Sequence, residues 1–254
     1  MFEILSETFS DNGLIVSFAL VGITIYFSYI LSDKLTRGRV HGSAIAIIIG
    51  LLLAYIGGVN TGGDQGLADV GIFTGIGLMG GGMLRDFAIV ATAFGANLDE
   101  IKKAGLPGLV SLLTGVIVSF VVGVFIAFAF GYTDAVSLTT IGAGTATYIV
   151  GPVTGTAIGA SSEVIALSIA AGLIKSILTM IGTPFIAKYI GLNNPRSAIV
   201  YGGLMGTTSG VAGGLAATDP KLVPYGAMTA TFFTGLGCLI IPSVLFLITR
   251  TIVG

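Results

Sequence analysis

The chain has 254 residues, of which 54% are hydrophobic and 9% charged, with 40 glycines, a mean hydropathy of +1.02 and a net charge of -1. Soluble domains average about 25% charged residues and about 7% glycine, so this composition belongs to a polytopic membrane protein. It also excludes classes: no basic patch suits nucleic acid, Cys238 alone gives neither a disulfide framework nor a thiolate metal site, and His41 alone gives no multi-histidine centre.

Glu3, Glu7 and Asp11 are acidic where a cleavable signal is basic. The first apolar run, 14–31, therefore reads as a retained span; it is uncharged and near the ~20 residues that cross hydrocarbon. The loop 32–39 carries Lys34, Arg37 and Arg39 and is the most basic in the chain, which places it in the cytoplasm and the N-terminus outside. Residues 42–58 form a second uncharged span. Residues 70–84 hold six glycines in fifteen positions and as a helix would reach only ~22 Å. Followed by Arg85, Asp86 and the short apolar run 87–96, they predict a broken helix or a re-entrant hairpin. An amphipathic stretch, 97–103, leads into an uncharged span over 106–130.

Residues 135–160 are uncharged, rich in threonine and interrupted by Gly142, Gly144, Gly151 and Pro152. They predict non-helical backbone at membrane depth, which lipid tolerates only where protein or a cavity satisfies it. A span over 164–187 carries one charge, Lys175. Residues 197–218 are uncharged with six glycines, and 226–249 is the last span.

Two stretches begin identically. Gly77-Leu78-Met79-Gly80 continues into Gly81, Gly82, Arg85 and Asp86, while Gly203-Leu204-Met205-Gly206 continues into Thr207, Thr208 and Ser209, 126 residues later. The predicted fold is an all-α polytopic membrane protein made of a duplicated helical repeat, residues 1–130 and 131–254, with glycine-interrupted (broken or re-entrant) helices and inverted copies. Paired interruptions in two halves point to the binding site of a secondary transporter. The competing reading is tight glycine packing between helices.

A helix broken in lipid frees N–H groups that suit a carboxylate and C=O groups that suit a hard cation. Candidate substrate ligands are Gly80, Gly81, Gly82, Arg85, Thr145, Thr147, Thr207, Thr208 and Ser209. Candidate sodium ligands are Asp86, Thr207 and Ser209. Arg85 offers a bidentate clamp for a carboxylate; alternatively Arg85 and Asp86 are interfacial charges. Lys175 lies ~18 Å along its helix from either end and needs a partner such as Asp86, a freed carbonyl, a substrate carboxylate or another chain. The threonines of 135–160 are either site walls or back-bonders to the preceding turn. No nucleophile–base pair, metal cluster or phosphate loop appears, so no enzyme and no cofactor is expected. A channel and a structural subunit supporting a partner carrier are the alternatives to a transporter.

The runs His41–Ile47, Gly80–Gly95, Tyr148–Gly155 and Gly203–Gly210 resemble the M subunit family of the bacterial malonate:sodium symporter, and the resemblance extends over essentially the whole chain. It implies sodium-driven uptake of malonate or a related small dicarboxylate across the bacterial cytoplasmic membrane, with a small membrane partner, the L subunit. By analogy with other duplicated carboxylate carriers it suggests alternating access of the elevator kind.

Overall fold

The computed structural model of the protein describes residues 2–38, 40–63, 66–79 and 98–254. Among these it is helical, with no strand. Five described helices are long and apolar enough to cross a membrane: Gly13–Thr36, Gly42–Thr61, Gly105–Ala129, Ser162–Ile186 and Pro220–Val253. They fall where the uncharged runs predict. The chain forms two compact units, residues 1–88 and 89–254.

In the first unit, α1 (Phe2–Asp11) precedes α2 (Gly13–Leu31). A π-helical turn, Ser32–Thr36, extends α2 and ends at Arg37 in the left-handed region, φ 55°. Ser32 Oγ donates to the Val40 carbonyl at 2.5 Å, and Thr36 Oγ1 accepts from the Val40 amide at 3.1 Å. These bonds fasten the basic loop to the helix it leaves. Helix α3 (Gly42–Thr61) begins at His41, whose Nδ1 accepts from the Ser43 amide. Within 70–79 the chain makes only the short turn Gly71–Phe73 and α4 (Gly75–Leu78). The first Gly-Leu-Met thus closes a four-residue helix. Residues 80–97, with the rest of that glycine run, lie outside the described residues.

The second unit starts with α5 (Leu98–Ala129), kinked at Gly105, whose φ of 41° and ψ of -132° only glycine adopts readily. The kink separates the amphipathic start from the span beginning at Gly105. Helices α6 (Ala135–Ala146) and α7 (Val150–Ile158) follow, then α8 (Ser162–Ile186), α9 (Pro195–Met205) and α10 (Thr208–Ala216). The chain ends in α11 (Val223–Ile240), a π-helical turn over Ile241–Leu245 containing Pro242, and α12 (Phe246–Val253). Pro242 has no N–H to give to the preceding turn, which accounts for the looser winding there.

Small residues set the closeness of packing. A Cβ on Gly144 would overlap the Ser168 carbonyl, and one on Gly172 would overlap the Tyr148 amide. Helices α6 and α7 fold back on each other: a Cβ on Gly151 would lie 3.0 Å from Gly144 Cα, and one on Gly155 2.8 Å from Thr140 Cγ2. Helix α9 instead packs on α5 and α11, through Gly203 against Ser111 and Gly202 against Gly226. Helix α10 lies along α8, with Gly213 against Met180 and Gly214 against Thr183. In lipid such contacts replace the hydrophobic effect as the source of helix association.

Candidate functional site

Two short breaks between described helices of the second unit lie close to α8. The first is Thr147, extended at φ -153° and ψ 153° between α6 and α7. Its amide donates to the Ala143 carbonyl at 3.2 Å. Its hydroxyl accepts from the amides of Ile149 at 3.1 Å and Val150 at 3.4 Å. Buried backbone groups must find partners, and one threonine supplies most of those needed here. Thr145, two residues earlier, donates to the carbonyls of Gly142 at 2.8 Å and Ser119 at 2.9 Å, tying α6 to α5.

The second interruption is Gly206-Thr207, between α9 and α10. Gly206 sits in the left-handed region at φ 71° and its amide donates to the Gly202 carbonyl at 2.9 Å. A Cβ there would overlap the Phe233 ring of α11. Thr207 occupies the capping position of α10 but makes no side-chain cap. Its hydroxyl turns to Ser176 Oγ at 2.9 Å instead, and Ser176 Oγ also bonds Ser209 Oγ at 2.8 Å. The amides of Thr208, Ser209 and Gly210 begin α10 and have no intrahelical acceptor.

A single turn of α8 serves both interruptions. Gly172 lies against Tyr148, Ser176 bonds Thr207, and Lys175 reaches the first break. Lys175 Nζ donates to the Ala146 carbonyl at 3.0 Å and to Ser119 Oγ at 2.8 Å, and it stands 5.2 Å from the centre of the Phe233 ring. Among the described residues no carboxylate pairs with it. A carbonyl, a hydroxyl and an aromatic face stabilise an ammonium but leave its charge uncompensated. A charge in a membrane span is expensive and marks a functional site by default.

Of the residues singled out from sequence, Thr145, Thr147, Thr207, Ser209 and Lys175 gather around this turn. Thr208 is half-buried at the start of α10. Gly80, Gly81, Gly82, Arg85 and Asp86 lie outside the described residues. Sequence reasoning missed Ser119, Ser176 and Phe233. Ser176 was within reach, because it adjoins Lys175 in the same turn; a serine or a phenylalanine within an apolar run carries no signal of its own. The threonines divide: Thr140 and Thr145 are back-bonders, Thr147 satisfies the break, and the buried hydroxyls of Thr139 and Thr154 have no partner among the described residues.

A family model described as the malonate/sodium symporter MadM subunit matches residues 5–253. No curated protein and no solved structure matches the chain. The match takes in every described span and both interruptions. The chain belongs to the MadM family, the membrane subunits of malonate/sodium symporters.

Proposed function

We propose that this subunit takes malonate into a bacterial cell together with sodium, and that the substrate binds where the two chain interruptions meet α8. The observation that carries this is Lys175, an ammonium beside both breaks with only neutral partners among the described residues. One carboxylate pairs with Lys175. The other takes the amides at the N-terminus of α10, where the helix dipole adds favourable potential. Thr145 and Thr147 shape the wall on the α6 side; Thr207, Thr208 and Ser209 shape it on the α10 side.

Sodium is a hard cation that takes oxygen ligands, and Ser176, Thr207 and Ser209 form a hydroxyl cluster beside the α8 turn that holds Lys175. In this reading sodium neutralises the second carboxylate charge, so that the loaded site crosses lipid at lower cost than either solute alone. Arg85 and Asp86 carry charges suited to the same two roles, and Gly80, Gly81 and Gly82 supply amides of the same kind. The two glycine-interrupted stretches descend from an inverted duplication, and the binding region shifts across the membrane in the elevator manner. The L subunit is the membrane partner, and the compartment is the bacterial cytoplasmic membrane.

The test is uptake of labelled malonate into proteoliposomes holding the chain with and without the L subunit. A sodium gradient should drive saturable accumulation, and a potassium gradient should not. Linear, sodium-independent flux would indicate a pore and overturn the reading. Binding of malonate only when the L subunit is present, unaffected by Lys175→Met, would move the site to the partner.

A further inference from the structure

Phe233 is fully buried. Lys175 Nζ lies over its face at 5.2 Å, and Gly206, two residues before the start of α10, presses on its edge so closely that no Cβ fits between them. It belongs to a buried apolar cluster with Val116, Phe120, Ala143, Ala146, Val150 and Ile241, drawn from α5, α6, α7 and the turn after α11. Gly237, one turn further along α11, faces Val150 at the start of α7. The ring is therefore buried between the ammonium and the second interruption, where protein interiors are close-packed.

We infer that Phe233 sets the length of the dicarboxylate that this carrier accepts. The inference rests on the proposed anchoring of one carboxylate at Lys175 and the other at the start of α10. An acid reaching both must share the space between them with the ring. A short three-carbon acid leaves the ring in place. Each further methylene has to be fitted against a fully buried side chain whose edge Gly206 already blocks. Residue 233 acts through shape, and Lys175 through charge, so the two separate experimentally.

The experiment is competition against labelled malonate uptake in the same proteoliposomes, using unlabelled malonate, succinate and glutarate. In the wild type, succinate should compete at least about tenfold more weakly than malonate, the discrimination one methylene commands in a packed apolar site, and glutarate more weakly still. Phe233→Leu removes the aromatic face from Lys175 and should lower uptake of all three acids, but relative to malonate the succinate gap should narrow severalfold. Phe233→Met is the second variant, keeping bulk but adding flexibility, and should fall between. Lys175→Met should depress all three acids alike without reordering them. If succinate competes with malonate equally in the wild type, the inference is overturned whether or not any variant folds. An unchanged succinate-to-malonate ratio in a transporting Phe233→Leu protein overturns it as well. Absence of malonate uptake by the wild type would instead refute the proposed function.

Discussion

Four side chains each carry more than one bond around the α8 turn: Thr145, Thr147, Lys175 and Ser176. Thr147 Oγ1 accepts from the Ile149 amide, which the break would otherwise strand, and shares the Val150 amide with the Thr147 carbonyl. Thr147→Val removes that acceptor while keeping the shape, and should destabilise the protein by about 1 kcal/mol, the usual worth of a helix cap. Thr147→Ser should restore it, read by thermal melting in detergent. Gly206 combines a left-handed φ with contact against Phe233, so Gly206→Ala meets both a backbone and a packing penalty. In the first unit, His41 caps α3 with an unprotonated Nδ1, and its Nε2 faces the Tyr29 hydroxyl at 3.3 Å. Burial lowers its pKa below the ordinary 6.5. The cap therefore contributes fully above that pH and is lost as pH falls through the lower folded value. Hydrogen exchange at the Ser43 and Ala44 amides should rise as pH drops below 6.5 relative to the intrinsic rate. His41→Asn, which caps without titrating, should abolish the change; a wild-type profile that stays flat would count against it.

At the level of elements, glycine has two distinct uses in this chain. Gly144 and Gly172 let α6 and α8 approach until backbone meets backbone, and this proximity puts the Ala146 carbonyl within reach of Lys175. Gly22 and Gly50 have nothing within 4 Å of an added Cβ. Gly144→Ala should therefore lower the melting temperature and reduce transport, whereas Gly50→Ala should leave both near wild type. Equal effects would mean that glycine content, not close approach, governs stability. The spans were legible because uncharged runs of sufficient length have one solution in lipid. A break within 135–160 was expected at its glycines and proline, but Gly142, Gly144, Gly151 and Pro152 lie inside α6 and α7, and the chain leaves the helix at Thr147. What sequence did not expose is the relation between the two breaks in the second unit. Asp134 caps α6 through the Ser137 amide, and Asn194 caps α9 through the Ser197 amide. Each cap precedes its interrupting threonine, Thr147 or Thr207, by 13 residues. The repeated Gly-Leu-Met-Gly pointed to a different pair. Polar capping residues at fixed spacing from a threonine are too common to stand out before the helices they cap are known.

For the whole molecule, charge predicts an orientation and the family match names the transport task. The chain matches the MadM family over residues 5–253, and Lys34, Arg37 and Arg39 make the loop after α2 the most basic. That loop should be cytoplasmic. After replacement of the native Cys238 by serine, a cysteine at Thr36 should react with a membrane-impermeant thiol reagent only once the cells are opened; labelling in intact cells would invert the topology. Partner choice was legible only through resemblance, since no composition or spacing specifies malonate. Lys175 stood out in the sequence as a charge at mid-span, but its partners did not, because they come from α5, α6 and α11, regions 29 to 58 residues away in the chain.

The account stands on Lys175 being the anion's anchor, and malonate binding to purified protein tests that most directly. In isothermal titration with sodium present, the wild type should bind malonate saturably. Lys175→Met, matched for monodispersity and helix content, should lose at least about tenfold in affinity, which corresponds to ~1.4 kcal/mol. Lys175→Arg should fall between them. A Lys175→Met protein that binds malonate as tightly as the wild type would contradict the account.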